Sequence, residues 1–365
     1  MAHVYRDRLA RAQTAMQSAG IDALLVGPSA DLKYLTGYHA LPLERLTLLV
    51  VPAEGRATLV SPLLEGPRAQ AAGVEEVAEV ALWGETDDPI VQVATALDGQ
   101  HGTVAVQDRL WTSFTLSLQN ALAGTRWLPG SVVMTRLRAI KTVDEIDALR
   151  AVGAAIDAVH ARVPELLRPG RTEAEVGAQL SELILEDHDE VNFVIVGSGP
   201  NGASPHHETS HRVIQTGDAV VVDIGGTRAD YCSDMTRNYV VGHAPEGYLA
   251  MHRVLEEAQD AAVGAVKPGA TAESIDAAAR EHIAAHGYGE QFIHRTGHGI
   301  GIEEHEEPWI VAGNDLELEA GMAFSVEPGI YVPGTYGARI EDIVVVTATG
   351  VERLNLRPRT PIVCA

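Results

Sequence analysis

Ala219-Val220-Val221-Val222-Asp223-Ile224, then Gly225-Gly226, then Tyr231-Cys232-Ser233-Asp234-Met235-Thr236-Arg237 sets two strand-like runs around a glycine pair, each carrying one aspartate. The aspartate positions sum to 223 + 234 = 457, so a hairpin centred near Arg228 and Ala229 would put them directly opposite on one face. The construction recurs downstream. Glu327 lies in Ala323-Phe324-Ser325-Val326-Glu327-Pro328-Gly329-Ile330-Tyr331, Glu341 in Ala338-Arg339-Ile340-Glu341-Asp342-Ile343, and Pro333-Gly334 falls near their midpoint. Two hairpins, each presenting an acidic pair, are expected.

Like charges facing across a ladder repel, and a carboxylate in an apolar setting costs several kcal/mol when uncompensated. Two divalent cations would balance the four negative charges of Asp223, Asp234, Glu327 and Glu341. His298, within Gly297-His298-Gly299-Ile300-Gly301, adds a nitrogen where glycines let the backbone come close. Hard carboxylates with one borderline imidazole suit Mn²⁺, Co²⁺, Fe²⁺ or Zn²⁺. The competing reading pairs these acids with Arg228, Arg237 and Arg339.

Composition narrows the class. With 365 residues, 46% hydrophobic and 21% charged, the chain can form two domains with sizeable cores. A net charge of −23 argues against nucleic acid or an anionic membrane as partner. The two cysteines, Cys232 and Cys364, imply no disulfide framework. Cys232 shares a strand face with Asp234, where packing or oxidation sensitivity are the alternatives. No apolar run approaches the ~20 residues of a membrane span, and the N-terminus lacks a signal-peptide pattern, so a cytoplasmic enzyme is expected.

The first third alternates helix 5–19, strands 23–26, 46–52 and 57–60, helix 66–73, strand 103–106 and helix 112–123. This predicts a small α/β domain over 1–130, ending at Leu128-Pro129-Gly130, ahead of an α+β domain over 131–365. Within the latter, Arg168-Pro169-Gly170-Arg171-Thr172-Glu173 is echoed by Lys267-Pro268-Gly269-Ala270-Thr271-Ala272, an offset of 268 − 169 = 99 residues. In each copy a long amphipathic helix (143–167, 246–266) runs into Pro-Gly, and a threonine caps the next. A duplicated half-domain with pseudo-twofold symmetry follows, with the acidic hairpins at its axis.

With these ligands placed, residues 134–365 closely resemble the pita-bread metallopeptidases, the family of methionine aminopeptidase, aminopeptidase P, prolidase and creatinase. The signatures Asp-Ile-Gly-Gly, Ser-Asp-Met-Thr-Arg, Gly-His-Gly-Ile-Gly, Glu-Pro-Gly-Ile-Tyr and Arg-Ile-Glu-Asp occur in family order. The N-terminal domain looks like that of the prolidase and aminopeptidase P branch. The resemblance implies that Asp223 binds one metal, His298 and Glu327 the other, and that Asp234 and Glu341 bridge both. It further implies attack on the peptide carbonyl by a bridging hydroxide, with Glu327 as proton shuttle. His206, His294 and His305 match pocket histidines that bind the carbonyl and oxyanion and protonate the departing proline nitrogen; Tyr331 and Arg339 match residues beside the ligands. His207 and His211 have no such match and read as surface residues. Manganese is the expected metal, cobalt or zinc the alternatives, in a homodimer acting on short proline-containing peptides.

Retention of all five ligands argues against creatinase, and the large N-terminal domain against methionine aminopeptidase. That leaves Xaa-Pro bonds, which lack an N–H. An Xaa-Pro dipeptidase (prolidase) is the favoured reading; an aminopeptidase P acting on longer peptides and a non-catalytic peptide-binding protein are the alternatives. A dipeptidase needs a cation for the free carboxylate of its substrate, and arginine suits this best. Where some prolidases carry arginine after a Val-His-Glu segment, this chain has Trp309; Arg45, in the loop leading into strand 46–52, either replaces it, with the loop covering the site of its own subunit or of a dimer mate, or is a solvated residue at the strand start.

Overall fold

A computed structural model describes residues 2–364 and divides into two units, one running to Arg138 and one from Ala139. In the first, six strands stand in the order Glu79–Trp83, Thr58–Pro62, Leu48–Pro52, Ala23–Val26, Thr103–Val106, Arg126–Pro129. The central ones are continuously apolar because both faces are covered; Leu24, Leu25, Leu49 and Val50 have no exposure. Helices Ala30–Thr36 and Pro89–Leu97, which the sequence pattern does not announce, start at Ser29 and Asp88, whose side chains cap the first turns. Pro129-Gly130 is not a boundary. Arg126–Pro129 pairs parallel with Thr103–Val106, the Gly130 N–H donates to Val106 O at 2.6 Å, and helix Ser131–Ala139 follows, tied back by Tyr34 Oη donating to Leu137 O.

The second unit is built twice over. Helices Val143–Leu166 and Glu173–Ile184 cover one sheet, in the order Ile362–Cys364, Tyr231–Val241, Ala219–Arg228, Glu190–Ser198. Helices Tyr248–Ala265 and Ala272–Ala285 cover the other, in the order Glu306–Ile310, Gly297–Gly299, Ala323–Val326, Asp342–Val346, Val351–Arg353. The repeat extends to individual hydrogen bonds. Gly170 N–H donates to Ile214 O as Gly269 N–H does to Leu318 O, and Thr172 bridges Val213 as Thr271 bridges Glu317. Thr172 closes a full capping box with Glu175, whereas Thr271 makes no side-chain cap bond.

The first acidic hairpin differs from the sequence expectation by two residues. Asp223 faces Thr236 and Asp234 faces Gly225, a register summing to 223 + 236 = 459. The two-residue loop is Ala229-Asp230, with φ of 47° and 74°, as a twist-matched hairpin turn requires. Gly225 and Gly226 lie inside the strand instead. A Cβ on Gly225 would sit 2.4 Å from the Phe193 ring and 2.6 Å from Ser233 O, so that glycine is there for close packing. An even shift keeps both aspartates on one face as diagonal neighbours rather than directly opposed. In the second hairpin Val326 faces Asp342 and Gly329 faces Arg339, both summing to 668, as do 327 + 341. Glu327 and Glu341 occupy the break between the two ladder segments. Their N–H groups donate out of the hairpin, to Thr296 O at 2.7 Å and Thr236 O at 3.3 Å.

Two histidines are kept neutral in the core of this unit. Burial, with Arg237's charge second, pushes His160 down to about 3, and burial pushes His252 down to about 4. Neither matters above the unfolded value of ~6.5, where both states are neutral; below it the unfolded chain takes up protons that the folded one refuses, so stability falls. The urea midpoint should drop between pH 6.5 and 4, each histidine costing on the order of 1.4 kcal/mol for every pH step of one below its unfolded value. His160→Gln should flatten that slope, and an unchanged slope would contradict the assignment.

Candidate metal centre

The five predicted ligands converge. Asp223, Asp234, Glu341 and His298 are no more than 7% exposed, and Glu327 is half-buried. Two groups of ligand atoms, each within 4.8 Å of one another, are Asp223–Asp234–Glu341 and His298–Glu327–Glu341. Glu341 belongs to both, and Asp234 Oδ2 lies 3.6 Å from His298 Nε2. The duplicated fold explains the division: the aspartates come from the first sheet, while His298, Glu327 and Glu341 come from the second and its hairpin break.

Glycines make the approach. A Cβ on Gly297 would fall 1.8 Å from Ser325 O, and one on Gly299 2.2 Å from Glu307 O. His298 Nδ1 donates to Gly299 O at 3.1 Å, and Nε2, 3.2 Å from Glu327 Oε1, shares a proton with that carboxylate and would turn its lone pair to a metal ion in the proton's place. Ser325 fixes both ligands: its Oγ accepts from His298 N–H at 3.0 Å and donates to Glu327 Oε1 at 3.0 Å. Thr236 Oγ1 donates to Glu341 Oε2 at 2.8 Å and accepts from Arg339 Nε at 3.1 Å. Neither hydroxyl stands out in the sequence, although each lies in a ligand's own motif.

The electrostatics are those of crowded acids. Burial first, then the neighbouring carboxylates, push Asp234 and Glu341 well above the ordinary range. Burial also pushes Glu327 up, but its hydrogen bond with His298 and the charges of His298 and Arg339 outweigh it and leave Glu327 at about 2. Arg339 Nη2 pairs with Asp223 Oδ2, so part of the competing arginine reading holds for that residue. Arg237 instead pairs with Asp342 at 2.6 Å, and Arg228 lies 4.0 Å from Asp187. Asp223 Oδ1 and Glu341 Oε1 remain buried with no hydrogen-bond partner. Orphaned carboxylate oxygens beside one another are what a pair of divalent cations would satisfy, and the oxygen-rich donor set with one imidazole fits them.

Behind the ligands, Arg339 Nη1 donates to Tyr331 Oη at 2.8 Å, and Tyr331 Oη donates to His294 Nε2 at 2.9 Å. His294 Nδ1, 2.7 Å from Arg295 O, carries that ring's proton. Burial above all keeps His294 below its usual value and holds the Tyr331 hydroxyl at about 12. Both His294 nitrogens are therefore engaged within the protein.

A cavity of about 460 Å³ opens onto the acids, lined also by His206, His305, Phe193, Ile195, Glu304 and Arg295. His305 packs edge-on against His298 at 4.1 Å, and burial, then the charges of His298 and Arg295, push it down to about 4. Tyr331 does not line the cavity; it is 3% exposed and hydrogen-bonded to Arg339 and His294. Arg45, within the N-terminal unit, pairs with Glu44 and Glu85. His207 is not a surface residue: only 13% of its side chain is exposed, and Nε2 lies 2.8 Å from the buried Glu173, which organises the 198–210 loop carrying His206. His211 is exposed as expected. Cys232 is packed rather than reactive, burial pushing its thiol up to about 11.

Residues 147–348 match the model of metallopeptidase family M24, and residues 8–140 that of the creatinase/prolidase N-terminal domain. The solved structure of dipeptidase PepE from Mycobacterium ulcerans is 51% identical with a TM-score of 0.96, covering 99% of this chain and 98% of that one. A prolidase from Thermococcus sibiricus is 39% identical with a TM-score of 0.91, covering 98% and 99%. An Xaa-Pro dipeptidase from Lactobacillus helveticus is 34% identical over 351 residues, covering 94% of this chain and 95% of its own.

Ser325→Ala would leave the His298 N–H unpaired and free Glu327 to rotate. Metal affinity should fall by about 10–100-fold with the fold retained, as chelator competition would register; unaltered affinity would remove the positioning role.

Proposed function

This chain belongs to metallopeptidase family M24, and on that premise we propose that it cleaves Xaa-Pro dipeptides, with Asp223, Asp234, His298, Glu327 and Glu341 holding two divalent ions. Asp234 and Glu341 each lie within reach of ligand atoms on both sides of the site and would help to hold both ions. Manganese is the ion proposed. When bound, the pair supplies an activated water and a Lewis acid for the scissile carbonyl. Glu327 would accept a proton at Oε2: Ser325 holds it through Oε1, leaving Oε2 without that contact. His206 and His305, on the cavity wall, bind the carbonyl and the developing oxyanion and return a proton to the proline nitrogen. Arg339, Tyr331 and His294 keep Asp223 and the cavity wall in place.

One observation carries the dipeptide reading. The Arg295 guanidinium lies 4.3 Å over the Trp309 ring and lines the cavity, with no carboxylate paired to it among the described residues. A stacked, planar guanidinium is preorganised for bidentate carboxylate binding, and Trp309 stands where the sequence lacks the arginine of some prolidases. Glu304 on the same wall offers the opposite charge for the substrate amine. Arg45, expected from sequence to read the carboxylate, is held by two glutamates. The enzyme is further proposed to be a cytoplasmic homodimer. Its two free, buried cysteines fit a reducing compartment, and exposed Leu41, Leu43 and Leu64 around one cavity of the N-terminal unit offer a second copy apolar surface.

With Mn²⁺ restored after chelation, Met-Pro should turn over, Met-Pro-Ala slowly and Met-Ala-Ala not at all; preference for Met-Pro-Ala would make the chain an aminopeptidase P. Arg295→Gln should raise KM for Met-Pro by roughly 10–100-fold, the 1.5–3 kcal/mol of a charged hydrogen bond, and leave Met-Pro-amide unaffected. A KM effect confined to Arg45→Ala would return the carboxylate to Arg45.

A further inference from the structure

A second cluster of metal-ligating side chains stands on the helix pair Tyr248–Ala265 and Ala272–Ala285, and the mechanism uses none of it. Glu257 projects from the first helix; His282, in the last turn of the second, and His286, its C-cap, are four residues apart and so share one face. One ligand atom from each of the three lies within 4.8 Å of the others, and the imidazole rings are 4.5 Å apart.

Three details make this more than proximity. His286 Nδ1 lies 2.8 Å from His282 O and donates to it, which fixes the tautomer and leaves Nε2 with an available lone pair. Metal-bound histidines characteristically make this contact to a carbonyl with their other nitrogen. His282 Nε2 is buried with no hydrogen-bond partner, although Glu257 Oε2 lies 3.3 Å away: the carboxylate is close enough to share a cation but poorly aligned to accept a proton. A buried nitrogen of this kind calls for an explanation, and an ion between it and Glu257 supplies one. The framework is also rigid. Leu255 and Ala258 on one helix, and Ala279 and Ile283 on the other, are completely buried in the same core. Glu257 and His286 are exposed, so an ion can enter from solvent, and the C-terminal end of the second helix adds its negative dipole end.

We propose that Glu257, His282 and His286 form a third metal site, which takes one zinc ion or another borderline divalent ion such as Ni²⁺. Two imidazoles and one carboxylate, with water completing the shell, are a zinc-type donor set. The acidic centre, with four carboxylates and one imidazole, is chemically harder and accepts Mn²⁺, which two imidazoles bind poorly. The two places therefore sort metals by donor type. An ion here ties the end of one helix to the middle of its neighbour, just before the segment that leads to His294 and His298. Its effect is on stability and metal content rather than on the chemical step.

The test counts metal in the full chain. After dialysis against Zn²⁺, the wild type should retain three ions per chain by elemental analysis, and His286→Asn and Glu257→Gln two each. All three proteins should show equal activity when loaded with Mn²⁺ alone, which establishes that the variants are folded and their acidic centre intact. Zinc should also raise the melting temperature of the wild type beyond that of either variant. Two ions in zinc-saturated wild type, or three in His286→Asn, would overturn the proposal.

Discussion

Mutual repulsion among Asp223, Asp234, Glu327 and Glu341 is the constraint around which the second unit is arranged. Asp234 and Glu341 are held well above their ordinary range by burial and by the other acids, while Glu327 is drawn down by His298. Without cations the acids that Arg339 does not pair relieve the site by binding protons. Cations remove the conflict at its source, so metal binding and stability of the folded centre are linked. Arg339 compensates part of the charge through Asp223 but is itself tied to Tyr331, Thr236 and Pro205 O, and cannot swing to serve the remaining acids.

The same need explains the backbone around the ligands. A continuous ladder would tie the N–H groups of Glu327 and Glu341 to their own hairpin. The break at Glu327-Pro328 and Ile340-Glu341 keeps the register sum of 668 on both sides while freeing the two glutamates from their own hairpin. Their N–H groups instead bond Thr296, beside the ligand strand of His298, and Thr236, two residues from Asp234. Pairing across elements thus positions the ligands more firmly than pairing within the hairpin would.

Much of this was legible in the sequence because a charged residue inside an apolar run is a strong physical signal. The four acids that meet in the fold and their two hairpins could be read that way, while His298 stood out by its flanking glycines and the 99-residue repeat by its paired Pro-Gly turns. The register of the first hairpin could not: Gly225-Gly226 has turn composition, but its glycines admit Phe193 and His188, and the turn falls on Ala229-Asp230, whose positive φ composition does not announce. The capped helices Ala30–Thr36 and Pro89–Leu97 lay beyond the periodicity argument because each is short. Ser325, Thr236 and His207 were missed for a different reason. Their importance resides in a hydrogen-bond partner distant in sequence, and only folding brings Glu341 to Thr236 or Glu173 to His207.

Arg295 makes the same point about charge. In sequence it is one of 27 cationic residues in a chain with 50 acidic ones, and nothing separates it from the rest. In the fold, Trp309 lies beside His298 on the adjoining strand, and its ring meets the Arg295 guanidinium at 4.3 Å. A cation next to four carboxylates would ordinarily be neutralised by one of them. Stacking on an aromatic face offers a position that needs no carboxylate partner, and the guanidinium edge stays available. One cavity thereby holds groups of both signs without their cancelling each other.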